Sequence, residues 1–175
     1  MVEFSDINFN FTPIRMPPYT FDNLVSAALP HIRELMPWDV DALRQSNPEL
    51  LLLDIREANE FEKCHIEASM LVPRGILETC CDWGYAETIP ALVRARERPV
   101  VLVCRSGNRT ALAALTLQQM GYQQVFSMKT GIRGWNDYDL PLVNAQGERV
   151  DPDWAEDVLS PPVSSTQMTP KASGK

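Results

Sequence analysis

Cys104 stands at the end of the apolar run Val100-Val-Leu-Val and opens the segment Arg105-Ser-Gly-Asn-Arg109-Thr110. A cysteine acts as a nucleophile through its thiolate, and a free thiol is only about 3% ionised at pH 7. The residues that follow suit the anionic form. Successive backbone N–H groups of Arg105, Ser106, Gly107, Asn108 and Arg109 can converge on one point as an anion nest. The Ala- and Leu-rich helix directly after them adds free N–H groups and a partial positive charge at its first turn. Such a cradle would hold a persulfide anion or the sulfonate end of thiosulfate, which is electrostatic preorganisation aimed at sulfur. Arg105 and Arg109 are the candidates for drawing in an anionic donor, because guanidinium groups match planar oxyanions. Gly107 is expected to take a backbone angle that other residues resist. Ser106 or Thr110 either donates a hydroxyl to the bound anion or caps the helix.

A loop of this kind needs a buried strand before it and a helix behind it. The continuous apolar run at 100–103 predicts a strand covered on both faces, and residues 110–120, closing at Gly121, predict a buried helix. A second such run at 50–53 ends in Asp54. Further strands are predicted over 32–36, 69–72 and 124–128. Helices are predicted over 21–29, 39–45 and 57–63, and another from the face shared by Ile89, Leu92 and Val93, with Arg94 and Arg96 in its last turn. Strands alternating with helices give an α/β fold with a parallel sheet and helices on both faces. In such sheets ligands bind at the carboxyl ends of the strands. Cys104 sits at one such end, and Asp54 and Arg56 sit at another.

Composition narrows the function. The chain has 175 residues, with 16 Lys plus Arg against 23 Asp plus Glu, for a formal charge of −7. That balance argues against binding nucleic acid or an anionic membrane nonspecifically, and it requires a local positive pocket for any anionic substrate. No run is long enough to span a membrane and no signal-like segment opens the chain, so the expected location is the cytoplasm. In a reducing compartment Cys64, Cys80, Cys81 and Cys104 are read as free thiols. The adjacency of Cys80 and Cys81 does not suit a zinc site, and neither a metal nor a cofactor is expected. Residues 1–30 read as an N-terminal extension containing an arm, with Ile7, Phe9 and Phe11 alternating, and a helix. Residues 31–145 form the domain. Residues 146–175, rich in Pro, Ser and Thr, read as a largely disordered tail.

The segment from Cys104 to Thr110 resembles the active-site loop of rhodanese-like domains, six residues opening with the nucleophilic cysteine. Leu51-Leu-Leu-Asp54-Ile-Arg56-Glu57 is similar to the first signature of that family, with Phe61 to Ile66 following, and Gly131-Ile-Arg-Gly134-Trp135 to its C-terminal signature. The resemblance covers about residues 31–143. It implies a rhodanese-like α/β fold with a central five-stranded parallel sheet. It also implies a single-domain sulfurtransferase that works through a Cys104 persulfide. The implied donor is thiosulfate or another sulfane-sulfur donor, and the acceptor a thiol, cyanide or a sulfur-carrier protein. Asp54 and Arg56 would support the loop or pair with each other, His65 would make a structural hydrogen bond, and Trp135 would pack in the core.

The chain departs from the family pattern at Cys64-His65-Ile66-Glu67-Ala68-Ser69, where glycines and a proline are usual. Cys64 is read as passive rather than as a second relay thiol. Cys80 and Cys81, beside Asp82, Trp83 and Tyr85, are expected in an insertion facing the site or solvent, again as passive residues. Two other functions compete. A cysteine phosphatase of related fold has five residues between Cys and Arg where this chain has four, which makes the loop small for phosphate. A binding or relay module that hands sulfur from protein to protein would not need small-molecule turnover, although a purely non-catalytic module would have no use for Cys104.

Overall fold

The computed structural model describes residues 19–169. Its centre is β4 (Pro99–Val103), in which Val100, Val101, Leu102 and Val103 are all inaccessible to solvent. Beside it lie β2 (Leu51–Asp54) and β5 (Gln124–Met128), with β1 (Arg33–Leu35) and β3 (Met70–Leu71) at the edges. The order is β1-β5-β4-β2-β3 and every pairing is parallel. Leu51 pairs with Val100 and Asp54 with Val103, so β2 and β4 end side by side.

Successive side chains of β4 point to opposite faces of the sheet. Val100 and Leu102 join Leu53, Leu92 and Leu117 in one cluster, and Val101 and Val103 join Leu52, Met128 and Trp135 in the other. The first is covered by α4 (Leu77–Cys80), α5 (Pro90–Val93) and α6 (Asn108–Gln119), the second by α2 (Pro37–Ser46), α7 (Gly131–Asp137) and α8 (Pro152–Leu159). An apolar strand buried on both faces is the physical reason for this three-layer arrangement. Before the sheet, α1 (Phe21–Ala28) is capped by Thr20 and packs on α6, burying Val25 and Ala28. Among the described residues no helix is long and apolar enough to cross a membrane.

Several elements differ from expectation. The helix predicted over 57–63 is the single turn α3 (Ala58–Phe61), started by a capping box between Glu57 and Glu60. The helix containing Leu92 stops at Val93, because Ala95 has to enter the core before β4 begins. The helix predicted over 39–45 begins two residues earlier, at Pro37, which puts Asp39 in the first turn of α2. Cys80 and Cys81 do not face the site or solvent: they are 2% and 0% exposed, inside the first core cluster.

The largest correction concerns the tail. Residues 146–175 were expected to be largely disordered, yet α8 forms within them. Asp151 accepts the Trp154 N–H at 3.0 Å and Pro152 takes the first helical position, where a missing N–H costs nothing. Ala155 and Leu159, one turn apart, are buried against the second core cluster. The expected arm around residues 7–11 and the end of the tail at 170–175 lie outside the described residues.

Leu159→Ala should lower the unfolding free energy by about 2 kcal/mol, the usual loss for a truncated buried leucine. Urea unfolding measures it; an unchanged midpoint would mean that α8 does not dock.

Candidate active site

Cys104 leaves β4 at the carboxyl edge of the sheet with 1% of its surface exposed. Its Sγ accepts the Gly107 N–H at 3.2 Å and lies 3.7 Å from Thr110 Oγ1. Among the amides expected to converge, Gly107 is the one within hydrogen-bond reach of the sulfur. Gly107 has φ +90°, a left-handed conformation that brings its N–H around to Sγ and immediately precedes α6. An added Cβ would lie 3.2 Å from Thr130 N. Neither Ser106 nor Thr110 caps α6 by its side chain, since Gly107 is the cap residue. Ser106 is exposed, whereas Thr110 is buried beneath the loop. The Thr110 hydroxyl donates to Gly107 O at 2.7 Å and shares a hydrogen bond with Ser127 Oγ at 2.8 Å.

The loop's carbonyls are taken up elsewhere. Ile132 N–H donates to Cys104 O at 2.8 Å and Arg133 N–H to Arg105 O at 3.1 Å, so the first turn of α7 draws both oxygens towards itself. Gly131 makes that approach possible. Its φ is +62°, and an added Cβ would lie 2.4 Å from Cys104 O and 2.5 Å from Ser106 N.

Arg109 and Arg105 part company. Arg109 makes two parallel hydrogen bonds to Glu60, Nη1 to Oε2 and Nη2 to Oε1, both at 2.8 Å. It was expected to recruit a donor, and it is instead turned to α3. Burial opposes the charge on Glu60, but the Arg109 hydrogen bonds and charge outweigh it and hold the carboxyl below its ordinary value. Arg105 is exposed. Asp54 and Arg56 form a fully buried pair, with Arg56 Nη2 2.6 Å from Asp54 Oδ2 and 2.7 Å from Cys64 O. Burial works against the Arg56 charge, and the hydrogen bonds it donates to Asp54, together with the Asp54 charge, more than restore it. The pair therefore braces residues 60–64, which carry Glu60, and through Glu60 it reaches Arg109 after the loop. His65 Nδ1 meets Phe61 O at 3.0 Å and the two rings stack 3.8 Å apart, while its backbone bridges to Val143.

Sequence reasoning missed Glu60, Gly131 as a contact to the loop, and Ser127. Glu60 and Arg109 are 49 positions apart and nothing local links them. Gly131 lay in a recognised motif, but its partner was not visible there. Burial pushes the thiols of Cys64, Cys80 and Cys81 up, which disfavours their anions.

Three hollows meet around the loop. One of about 480 Å³ lies over Arg105, Ser106 and Asn108, between Phe21 and Glu60. A second of about 270 Å³ is walled by Val25 of α1, by Leu29 just after that helix and by Lys129. The third, about 200 Å³, runs from Arg105 past Lys63 to Val158 and Pro161.

Residues 38–138 match the family model described as Rhodanese-like domain. A sulfurtransferase of Allochromatium vinosum is 31% identical over 99 residues, 57% of this chain and 83% of that protein. The solution structure of the polysulfide-sulfur transferase homodimer of Wolinella succinogenes covers 71% of this chain and 87% of its own, with a TM-score of 0.55 and 29% identity. RPA3614 of Rhodopseudomonas palustris CGA009, a protein of unknown function described as a possible tyrosine phosphatase, covers 75% and 99% with a TM-score of 0.66 and 28% identity.

Two outcomes test the geometry. Gly131→Ala should destabilise the protein more than Gly121→Ala, although both replace a left-handed glycine, because only Gly131 meets backbone at 2.4 Å while Gly121 faces the Arg96 side chain at 3.9 Å. Equal losses in urea unfolding would show that the contact to the loop is unimportant. Glu60 offers a pH test. Its folded-state value lies below the ordinary 4.5, so the stability it contributes is complete above that pH and is lost as pH falls through the lower value. Glu60→Gln should therefore show a flatter unfolding midpoint than the wild type between about pH 5 and pH 3. Parallel curves would contradict the pairing.

Proposed function

The chain belongs to the rhodanese-like domain family, and from that premise we propose that it transfers sulfane sulfur through a persulfide on Cys104. The observation that carries the reading is the Gly107 N–H aimed at Sγ while α7 takes the Cys104 and Arg105 carbonyls. The relatives named as a sulfurtransferase and a polysulfide-sulfur transferase support sulfur transfer as the general activity.

In the first step the Cys104 thiolate bonds to the outer sulfur of thiosulfate. The sulfur–sulfur bond of the donor breaks, and its electron pair leaves with sulfite. In the second step an acceptor nucleophile takes that sulfur and Cys104 departs as thiolate. The two half-reactions predict ping-pong kinetics. Arg105, exposed at the rim, recruits the anionic donor. Arg109 acts through Glu60 as a positioning residue for the loop. Asn108 and Ser106 line the entrance, while Thr110 holds the Gly107 carbonyl and keeps a hydroxyl near the sulfur. Cyanide, a thiol or a sulfur-carrier protein can serve as acceptor, since each presents a nucleophile that attacks sulfur.

The description of RPA3614 raises phosphate-ester hydrolysis as a second reading. Four residues separate Cys104 from Arg109, and the Arg109 guanidinium is engaged by Glu60 through both of its Nη atoms rather than offered to a phosphoryl group. That favours sulfur over phosphate.

Intact mass spectrometry after incubation with thiosulfate should find about 32 Da added to the wild type, removable by dithiothreitol, and nothing added to Cys104→Ser. Cyanide should then yield thiocyanate, and p-nitrophenyl phosphate should not be hydrolysed. Loading of the serine variant would move the reaction to another thiol and overturn the reading.

A further inference from the structure

Cys80 and Cys81 follow one another where α4 ends, and the sulfur-transfer reaction leaves both unused. Consecutive residues on a helical turn point roughly 100° apart, yet both side chains enter the first core cluster. The two thiols therefore share one side of the chain. Burial holds both up, and the Tyr122 hydroxyl and the Arg96 charge beside Cys81 do not offset it. The Tyr122 hydroxyl donates to Leu92 O at 2.7 Å. Arg96 Nε is buried and has no hydrogen-bond partner among the described residues. Arg96 Nη2 lies 3.6 Å from Asp82 Oδ1 in a long, half-exposed ion pair, of the kind that contributes little. A buried N–H without an acceptor costs free energy that an added oxygen atom beside Cys81 would recover.

Geometry limits what the pair can hold. Adjacent Cα atoms are about 3.8 Å apart, whereas those of a disulfide usually lie about 4.4 to 6.8 Å apart, so a direct sulfur–sulfur bond is strained. An atom inserted between the sulfurs widens the ring and relieves that strain. Among the described residues no group of three or more His, Cys, Asp or Glu side chains is placed to hold a metal ion. A structural zinc site needs four protein donors, which this pair does not supply. The ligand must be satisfied with two sulfurs and soft enough to prefer them. Because the thiols are buried and protonated, it must also arrive uncharged.

We propose that Cys80 and Cys81 chelate a trivalent metalloid acid, of which arsenous acid is the type, with Arg96 Nε donating to the hydroxyl it retains. Each S–H proton passes to one hydroxyl of the acid. Two arsenic–oxygen bonds break, two arsenic–sulfur bonds form, and two water molecules leave. Arsenic stays trivalent, so no oxidant or reductant is consumed. The third hydroxyl remains on arsenic and gives the Arg96 N–H its acceptor. Entry requires a local opening only. Residues Trp83 to Glu87 are all exposed, and the segment is tied back through the Ile89 N–H to Cys80 O at 3.0 Å. Opening such a segment costs far less than unfolding the domain. The site makes no use of Cys104 and stands independently of the persulfide reading.

Arsenite is the probe, and the full chain carrying Cys104→Ser is the protein, which removes the other reactive thiol. Native mass spectrometry should find one arsenic per chain, with two waters lost. Peptide mapping should then find Cys80 and Cys81 protected from N-ethylmaleimide. Adding Cys80→Ser or Cys81→Ser should abolish the uptake, whereas adding Cys64→Ser should not. Should Cys81→Ser fail to fold, Cys80→Ser and the alkylation map carry the test. Arg96→Met should weaken arsenite roughly tenfold in calorimetric titration. It should leave methylarsonous acid unaffected, because that product keeps no hydroxyl on arsenic. Equal weakening of both ligands would overturn the role given to Arg96. No arsenic on the folded Cys104→Ser chain, or uptake that survives Cys80→Ser, would overturn the site.

Discussion

The loop after Cys104 carries as many carbonyl oxygens as amide hydrogens, and an anionic sulfur in its middle requires the oxygens to be turned away. Two of them, on Cys104 and Arg105, are drawn off by the first N–H groups of α7, and the Gly107 oxygen accepts the Thr110 hydroxyl. What remains for the sulfur is the Gly107 N–H and the first turn of a 12-residue helix. This sorting of donors from acceptors is what the surrounding architecture supports. It requires α7 to begin within contact of the loop, which requires glycine at 131. It also requires the loop to reverse at 107, which requires a left-handed residue there.

The second dependency runs through charge. Removing one member of a buried ion pair leaves the other uncompensated, which makes Asp54 and Arg56 mutually obligatory rather than a simple gain in stability. The guanidinium reaches past Asp54 to the carbonyls of Glu60 and Cys64, so it fixes the short α3 turn through its backbone. From that turn Glu60 meets Arg109 with two parallel hydrogen bonds. The end of β2 is thus connected to the helix after Cys104 by a chain of charge-assisted contacts, each of which fixes the geometry of the next.

Much of this framework was legible. The run at 100–103 admits only a strand covered on both faces, and Gly121 marked the close of the helix predicted over 110–120, which begins two residues earlier at Asn108. The partners were not legible, because pairings such as Glu60 with Arg109 or Gly131 with Cys104 are made by the fold and leave no local periodicity. The reading of residues 146–175 as largely disordered missed α8 for a different reason. Average composition over a stretch rich in Pro, Ser and Thr conceals a capped turn at Asp151 and two buried residues one turn apart, which are enough to dock a short helix on an existing core. The prolines flank α8 or start it rather than interrupt it. Cys80 and Cys81 were misplaced because neighbouring Asp82, Trp83 and Tyr85 read as exposed, and a chain can turn from core to surface within one residue.

Burial alone does not choose among the four cysteines. Cys64, Cys81 and Cys104 are equally hidden, at 0%, 0% and 1% exposure, and Cys80 is little different at 2%. Cys64 even lies beside the Arg56 charge, yet burial dominates and pushes its thiol up. What sets Cys104 apart structurally is its backbone surroundings. At the end of β4 a left-handed glycine brings the Gly107 N–H to the sulfur, and the first turn of α7 takes up the Cys104 and Arg105 oxygens. A buried guanidinium cannot substitute for that arrangement when, as at Cys64, its donors are already committed to a carboxylate and a carbonyl. On the proposed persulfide reading, selection of the reactive thiol therefore rests on the uncommitted N–H that the fold turns to residue 104.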